Sequence, residues 1–218
     1  MTNRYDISSN PEAQYQPGSH NQVLLNKRGI TDLEEMEGIE FDELLRFEQV
    51  LFDELAADNR LTAKSLRDWH RDWLGGIYEW AGEYRSVNMS REDFVFAAAH
   101  LIPKLMADFE RDYLSVLTPC CEMNKDELIE AIAVCHVEFI IIHPFREGNG
   151  RLGRVLSTVM ALQADMPVLD FEMLERDKDQ YIQAIHAGHA GNYQPMKLLF
   201  SEILDFSIQQ ASRTESNE

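Results

Sequence analysis

His143-Pro144-Phe145-Arg146-Glu147-Gly148-Asn149-Gly150-Arg151-Leu152-Gly153-Arg154 is the stretch from which the rest of this 218-residue chain is read. It places an imidazole, a carboxylate, an amide flanked by two glycines, and two arginines three apart in twelve consecutive positions. Glycines let backbone N–H groups approach and turn toward an anion. Asn149 stands where a helix can start, and spacing then sets Arg151 and Arg154 on one face of that helix. A helix start flanked by glycine and arginine is a phosphate site. His143 adds a proton acceptor and Glu147 a ligand for a hard cation. The residue chemistry alone predicts Mg²⁺-assisted phosphoryl or nucleotidyl transfer.

Working outward, the flanking sequence is helical in period. Apolar positions recur at helical spacing from Thr31 to about Leu55, opened by a Thr31/Glu34 capping box, and again after Thr62 through Leu66, Trp69, Trp73 and Ile77. Further helices are predicted over 97–117, 126–142, 150–164, 173–189 and 195–210. Between them, Tyr84 to Phe96 surrounds the polar turn Ser90-Arg91-Glu92-Asp93, the pattern of a short β-hairpin. The predicted class is all-α with one hairpin. Residues 1–30 read as an extended arm, 31–210 as one domain, and 211–218 as a charged, frayed tail.

Composition sets outer bounds. A formal charge of −18 argues against a nucleic-acid partner, while a nucleotide needs only local compensation by Arg151, Arg154 and a metal. Cys120, Cys121 and Cys135 lack the spacing of a disulfide frame or a zinc site, so a reducing compartment fits. The first residues lack the apolar core of a signal peptide, and the longest apolar runs are too short to span a bilayer. The expected location is cytoplasmic, or inside another cell after delivery, with no membrane partner.

The twelve residues match every defined position of the Fic (Fido) family signature, His-x-Phe-x-(Asp/Glu)-Gly-Asn-Gly-Arg-x-x-Arg. The resemblance extends upstream. Trp69-His70-Arg71-Asp72-Trp73 and Ile77 to Arg85 are similar to the family's approach to its "flap" hairpin, and Val87-Asn88-Met89 with Phe94-Val95-Phe96 to the flap itself. Pro17-Gly18 and Leu25 to Asp32 resemble the leading segment of bacterial Fic toxins, so residues 17–200 are covered. The resemblance implies a Fic-type helical bundle and a protein adenylyltransferase that moves AMP from ATP to a Ser, Thr or Tyr hydroxyl. It makes His143 the general base and Glu147 the Mg²⁺ ligand. Phe145, Gly148, Asn149, Gly150, Arg151, Arg154 and Tyr181 form the nucleotide set, although Phe145 taken alone reads as a core anchor. Gly148, Asn149 and Gly150 are expected to offer backbone and amide donors to the phosphates. Asn88, Met89 and Ser90 of the flap would hold an extended segment of the target.

Other readings stay open. Fic relatives that phosphorylate carry lysine in place of the second glycine, where this chain has Gly150, and phosphocholine transfer uses the same motif. A silent nucleotide-binding interaction module is the reading from another class. His136, His186 and His189 lack a third ligand at metal spacing and read as core or surface residues, and Arg146 as a solvated charge. The family's inhibitory motif, (Ser/Thr)-x-x-x-Glu-(Gly/Asn), has no complete copy. Ser8 to Ala13 ends in alanine and contains Pro11, and Glu37-Gly38 has Leu33 at the hydroxyl position. Either a small antitoxin supplies that helix in trans or regulation takes another route; the toxin-like leading segment favours the antitoxin as the expected partner.

Overall fold

The structure is a computed structural model that describes residues 10–91 and 94–215. In chain order the helices are α1 (Leu33–Asp53), α2 (Ala63–Leu74), α3 (Ile102–Phe109), α4 (Ser115–Leu117), α5 (Lys125–Ile142), α6 (Asn149–Gln163), α7 (Glu172–Arg176), α8 (Lys178–His189) and α9 (Gln194–Glu215). Strands β1 (Ser90–Arg91) and β2 (Phe94–Val95) pair antiparallel, Ser90 opposite Val95 and Arg91 opposite Phe94. This is the expected helical class with one hairpin, in shorter strands than the sequence pattern suggested; turn residues Glu92 and Asp93 lie outside the described residues.

Helix α5 is the axis. It buries residues on all sides, from Leu128 to Ile142, as a helix apolar all round must. Helices α3, α6, α8 and α9 pack around it. Close approach of α8 depends on Gly188, where a Cβ would come within 2.4 Å of Val137 Cγ1. Helices α1 and α2 pack together and reach α6 from the other side. The loop joining α5 to α6 is the signature stretch, so it emerges where both groups of helices meet.

Several boundaries moved for local reasons. Asp32, not Thr31, caps α1, accepting from the Glu35 N–H at 2.9 Å. Thr62 caps α2 as expected, in a capping box with Ser65. The predicted helix over 97–117 is divided by a π-helical turn at Glu110–Leu114, and the one over 173–189 is broken at Asp177, whose side chain caps α8. The arm from residue 10 is laid on the domain. Lys27 N–H bonds the Ile77 carbonyl at 2.8 Å, and Arg146 Nε bonds the Glu12 carbonyl at 2.8 Å, so Arg146 is a tether and not merely a solvated charge. Pro11–Ala13 forms a 3-10 turn, while Ser8 and Ser9 of the near-match to the inhibitory motif lie outside the described residues, as does the tail beyond Glu215. Among the described residues no helix is long and apolar enough to cross a membrane.

Candidate active site

His143 ends α5 in the left-handed region, at φ 51°. Pro144 disfavours helical backbone at the residue before it, and the chain turns out of the helix on that residue. A non-glycine residue held there stores roughly 1–3 kcal/mol of strain, which the surroundings must hold in place. They do so from three directions. Arg85 Nε donates to the His143 carbonyl at 2.7 Å, the Phe96 ring stacks on the imidazole at 3.7 Å, and Nδ1 lies 3.3 Å from the Ile140 carbonyl. The last contact places the proton on Nδ1 and leaves Nε2 with its lone pair. Burial pushes the His143 pKa down to about 4, against a raising contribution from Ile140, so the ring is neutral near pH 7.

Past Pro144 the loop is closed by its own side chains. Phe145 is fully buried and stacks on His70 at 4.0 Å, 8° from parallel. It is a core anchor away from the cavity, which removes it from the nucleotide set. Asn149 spends both amide atoms on the Phe145 backbone, accepting at 2.9 Å and donating at 2.8 Å, and is 2% exposed. Its side chain thus serves to close the loop, with one amide N–H beyond the Phe145 bond, and its backbone stands at the helix start. Gly148 has φ 80°, and a Cβ there would lie 2.6 Å from the Trp73 ring. Gly150 differs, because a Cβ there meets nothing within 4 Å. Its small size leaves room above the first turn of α6, whose N–H groups lack intrahelical acceptors.

These groups open onto one cavity of about 580 Å³, within the range of small-molecule sites. The signature loop from His143 and Arg146 through Arg154 forms one wall, Met89, Ser90 and Arg91 of the flap a second, and Tyr181, Ile182 and Ile185 of α8 a third. Four arginines (Arg91, Arg146, Arg151 and Arg154) line it in a chain of strongly negative charge, the local compensation an anionic ligand needs. Arg154 lies 5.6 Å over the Phe171 ring. Glu147 has a side chain 43% exposed and accepts from the Gly148 N–H at 2.9 Å. Among the described residues no group of three or more His, Cys, Asp or Glu could hold a metal by itself. A cation here would rest on Glu147 and on oxygens of the ligand, which is how Mg²⁺ is commonly held.

The other predicted residues divide. Tyr181 lies in the cavity wall with its hydroxyl 2.8 Å from His136 Nε2. Asn88 accepts from the Ala99 N–H at 2.9 Å and so fixes the root of the flap. His186 stacks on Phe94 at 5.2 Å and His189 meets it edge-on at 5.5 Å, which docks the flap on α8.

Three residues that hold the site together escaped sequence reasoning. His70 Nδ1 accepts from the Gly82 N–H at 2.7 Å, and its Nε2 lies 3.1 Å from the Glu147 carbonyl. Arg85, 2% exposed, binds backbone carbonyls of both the loop and the flap. Glu40 of α1 pairs with Arg151 at 2.7 Å. A signal for Glu40 was present: it occupies the Met36, Leu44, Phe47 stripe of α1, where an acid needs a partner.

Burial also pushes the pKa values of His70 and His136 down to about 4, both rings being shielded from solvent. With an unfolded value near 6.5, each contributes stability present above that pH and lost as pH falls toward 4. Between pH 6.5 and 5 the pair should lower unfolding free energy by up to roughly 3 kcal/mol per pH unit. Urea midpoints at pH 7 and pH 5 check this, and equal midpoints would contradict it.

Residues 60–161 match the model of the Fic/DOC family. The chain is 29% identical over 189 residues to the probable protein adenylyltransferase y4lH of Sinorhizobium fredii, covering 83% of this chain and 89% of that protein. It is 29% identical over 143 residues to the probable protein adenylyltransferase Fic of Escherichia coli, covering 64% and 68%. Among solved structures, the BepC protein of Bartonella tribocorum with bound AMPPNP superposes with a TM-score of 0.70 at 25% identity, covering 88% of this chain and 96% of that one.

Proposed function

We propose that this chain, residues 60–161 of which match the Fic/DOC family model, is a Fic-type protein adenylyltransferase. It transfers AMP from ATP to a Ser, Thr or Tyr hydroxyl of a target protein. The observation that carries this is the placement of a neutral imidazole with its proton held on Nδ1 beside the N-terminus of α6, in one arginine-lined cavity. The family names of relatives in Sinorhizobium and Escherichia, and the AMPPNP held by the Bartonella structure, point the same way.

In this reading the polyphosphate lies along the first turn of α6 between Arg151 and Arg154, where helix N–H groups and guanidinium groups offset its charge. The adenine lies toward Tyr181, Ile182 and Ile185, the less polar wall. Glu147 would hold Mg²⁺, which supplies charge stabilisation on the phosphate oxygens. His143 Nε2 takes the proton of the incoming hydroxyl as its oxygen bonds the α-phosphorus; the α–β bridging P–O bond breaks and pyrophosphate leaves. Asn88, Met89 and Ser90 present the flap to an extended target segment, with backbone hydrogen bonds setting its register. Inhibition in trans by a small antitoxin completes the reading, because neither partial copy of the inhibitory motif is complete and Glu37, the acid of one of them, is exposed on α1.

ATP labelled at the α- or, separately, the γ-phosphate distinguishes the transferable groups when the pure chain is given Mg²⁺ and a lysate. Protein labelled from the α-position alone is the expected result. Label from the γ-position would make the chain a kinase-like relative, and label only from CDP-choline a phosphocholine transferase. ATP bound tightly with no transfer from any donor would leave a silent binding module.

A further inference from the structure

We infer that Glu40, on the helix preceding the matched domain, is a positioning residue that fixes the Arg151 guanidinium for a nucleoside triphosphate. The inference rests on the nucleotide reading of the same cavity. The Glu40 side chain is 6% exposed, and both carboxylate oxygens are taken: one accepts the Tyr78 hydroxyl at 2.6 Å, the other Arg151 Nη2 at 2.7 Å. An acid buried so deeply is stable only with partners of this kind. The backbone of the same residue reaches the arginine by a second route. Its carbonyl accepts from Trp73 Nε1 at 2.9 Å, and the Trp73 ring carries the Arg151 guanidinium at 4.8 Å. Tyr78, stacked on Trp80 at 4.4 Å, holds the carboxylate from behind.

Glu40 therefore sets both the lateral position and the tilt of the guanidinium. The Glu40 anchor uses one of its nitrogens, and a guanidinium carries five N–H donors, so a fork remains for phosphate on a residue that lines the cavity. Holding that fork in place removes a rotamer cost that binding would otherwise meet. The carboxylate also offsets part of the arginine's charge. Glu147 Oε1 also reaches Arg151 Nη2, at 3.4 Å and from a half-exposed side chain, but the shorter, buried bond and the ring beneath the guanidinium both trace to Glu40.

Calorimetric titration of the full chain with ATP and with AMP, each with Mg²⁺, tests this. Glu40→Ala should weaken ATP by about tenfold or more and leave AMP nearly unchanged, because only the longer polyphosphate needs the fixed fork. Glu40→Gln, which still accepts from Arg151, should recover most of the loss. In an Arg151→Ala background, Glu40→Ala should have little further effect. Equal losses for ATP and AMP, additive losses, or tighter ATP binding would each overturn the inference. Should Glu40→Ala fail to fold, Tyr78→Phe must show the same ATP-over-AMP loss in lesser degree. If the unchanged chain binds no ATP, the nucleotide reading fails on its own account. The ¹⁵N signals of the Arg151 guanidinium, assigned through Arg151→Lys, then still decide: dispersion lost in a folded Glu40 or Tyr78 variant supports the anchor, and dispersion retained overturns it.

Discussion

Replacing His143 by alanine is expected to reduce AMP transfer by about 10² to 10⁴-fold while ATP affinity changes little, the range for loss of a general base. The separation follows from the geometry. The α6 N-terminus and the two signature arginines would hold the phosphates, and neither depends on the imidazole for its position. Single-turnover transfer from α-labelled ATP, paired with a nucleotide titration, reads both quantities. A variant retaining more than about a tenth of the rate would remove His143 from the base role. Protonation state gives an independent check. Burial draws the pKa of the ring down to about 4 in the free protein, so the lone pair is retained as pH falls through 6.5 and lost only near 4. Imidazole NMR signals of His143 should remain those of the neutral ring at pH 5.5. A midpoint near 6.5 would mean that the Phe96 stack and the Arg85 contact do not shield it in solution.

The parts of this molecule legible in its sequence are those governed by local rules. Helical period placed α5 and α6 to within a residue, because both are long, apolar and capped by their own neighbours: Asn124 caps α5 in a capping box, and Gly148 turns the chain into α6. The π turn at Glu110–Leu114 left no mark in the apolar spacing, since the period continues through it. Site chemistry was legible as residue types within twelve positions. Their roles separated only in three dimensions. Asn149 and Phe145 close the loop on itself, so two residues of the apparent ligand set are structural. Conversely, the residues that aim the set come from far along the chain. Glu40 is 111 positions from Arg151, His70 77 from Glu147 and Arg85 58 from His143. No period or spacing couples positions that distant. A buried acid in an apolar stripe is the nearest thing to a warning, and it does not name its partner.

Arg85 shows what such a distant residue controls. Its backbone N–H donates to the Pro144 carbonyl at 2.8 Å and its Nε to the His143 carbonyl at 2.7 Å. Nη1 reaches the Val87 carbonyl and Nη2 the Ala97 carbonyl, each at 2.6 Å. One guanidinium thus joins the turn bearing the proposed base to both ends of the flap proposed to carry the target. The planar fork is what allows three nitrogens to serve separate carbonyls, so lysine cannot replace it. Arg85→Met removes every side-chain donor and leaves buried carbonyls without partners. An expected loss of about 3–5 kcal/mol in unfolding free energy follows, the cost of breaking a buried charged network. Arg85→Lys should fold better, because one ammonium can still serve one or two of the carbonyls. Its transfer rate should nevertheless fall far more than its ATP affinity, since the α6 phosphate wall does not pass through Arg85. Urea unfolding of both variants and transfer assays on Arg85→Lys test the two halves. Unfolding of Arg85→Met within about 1 kcal/mol of the unchanged chain would show that the carbonyls find water instead. A proportionate loss of ATP binding and transfer in Arg85→Lys would show that the loop moves as one body, with no separate coupling of base to flap.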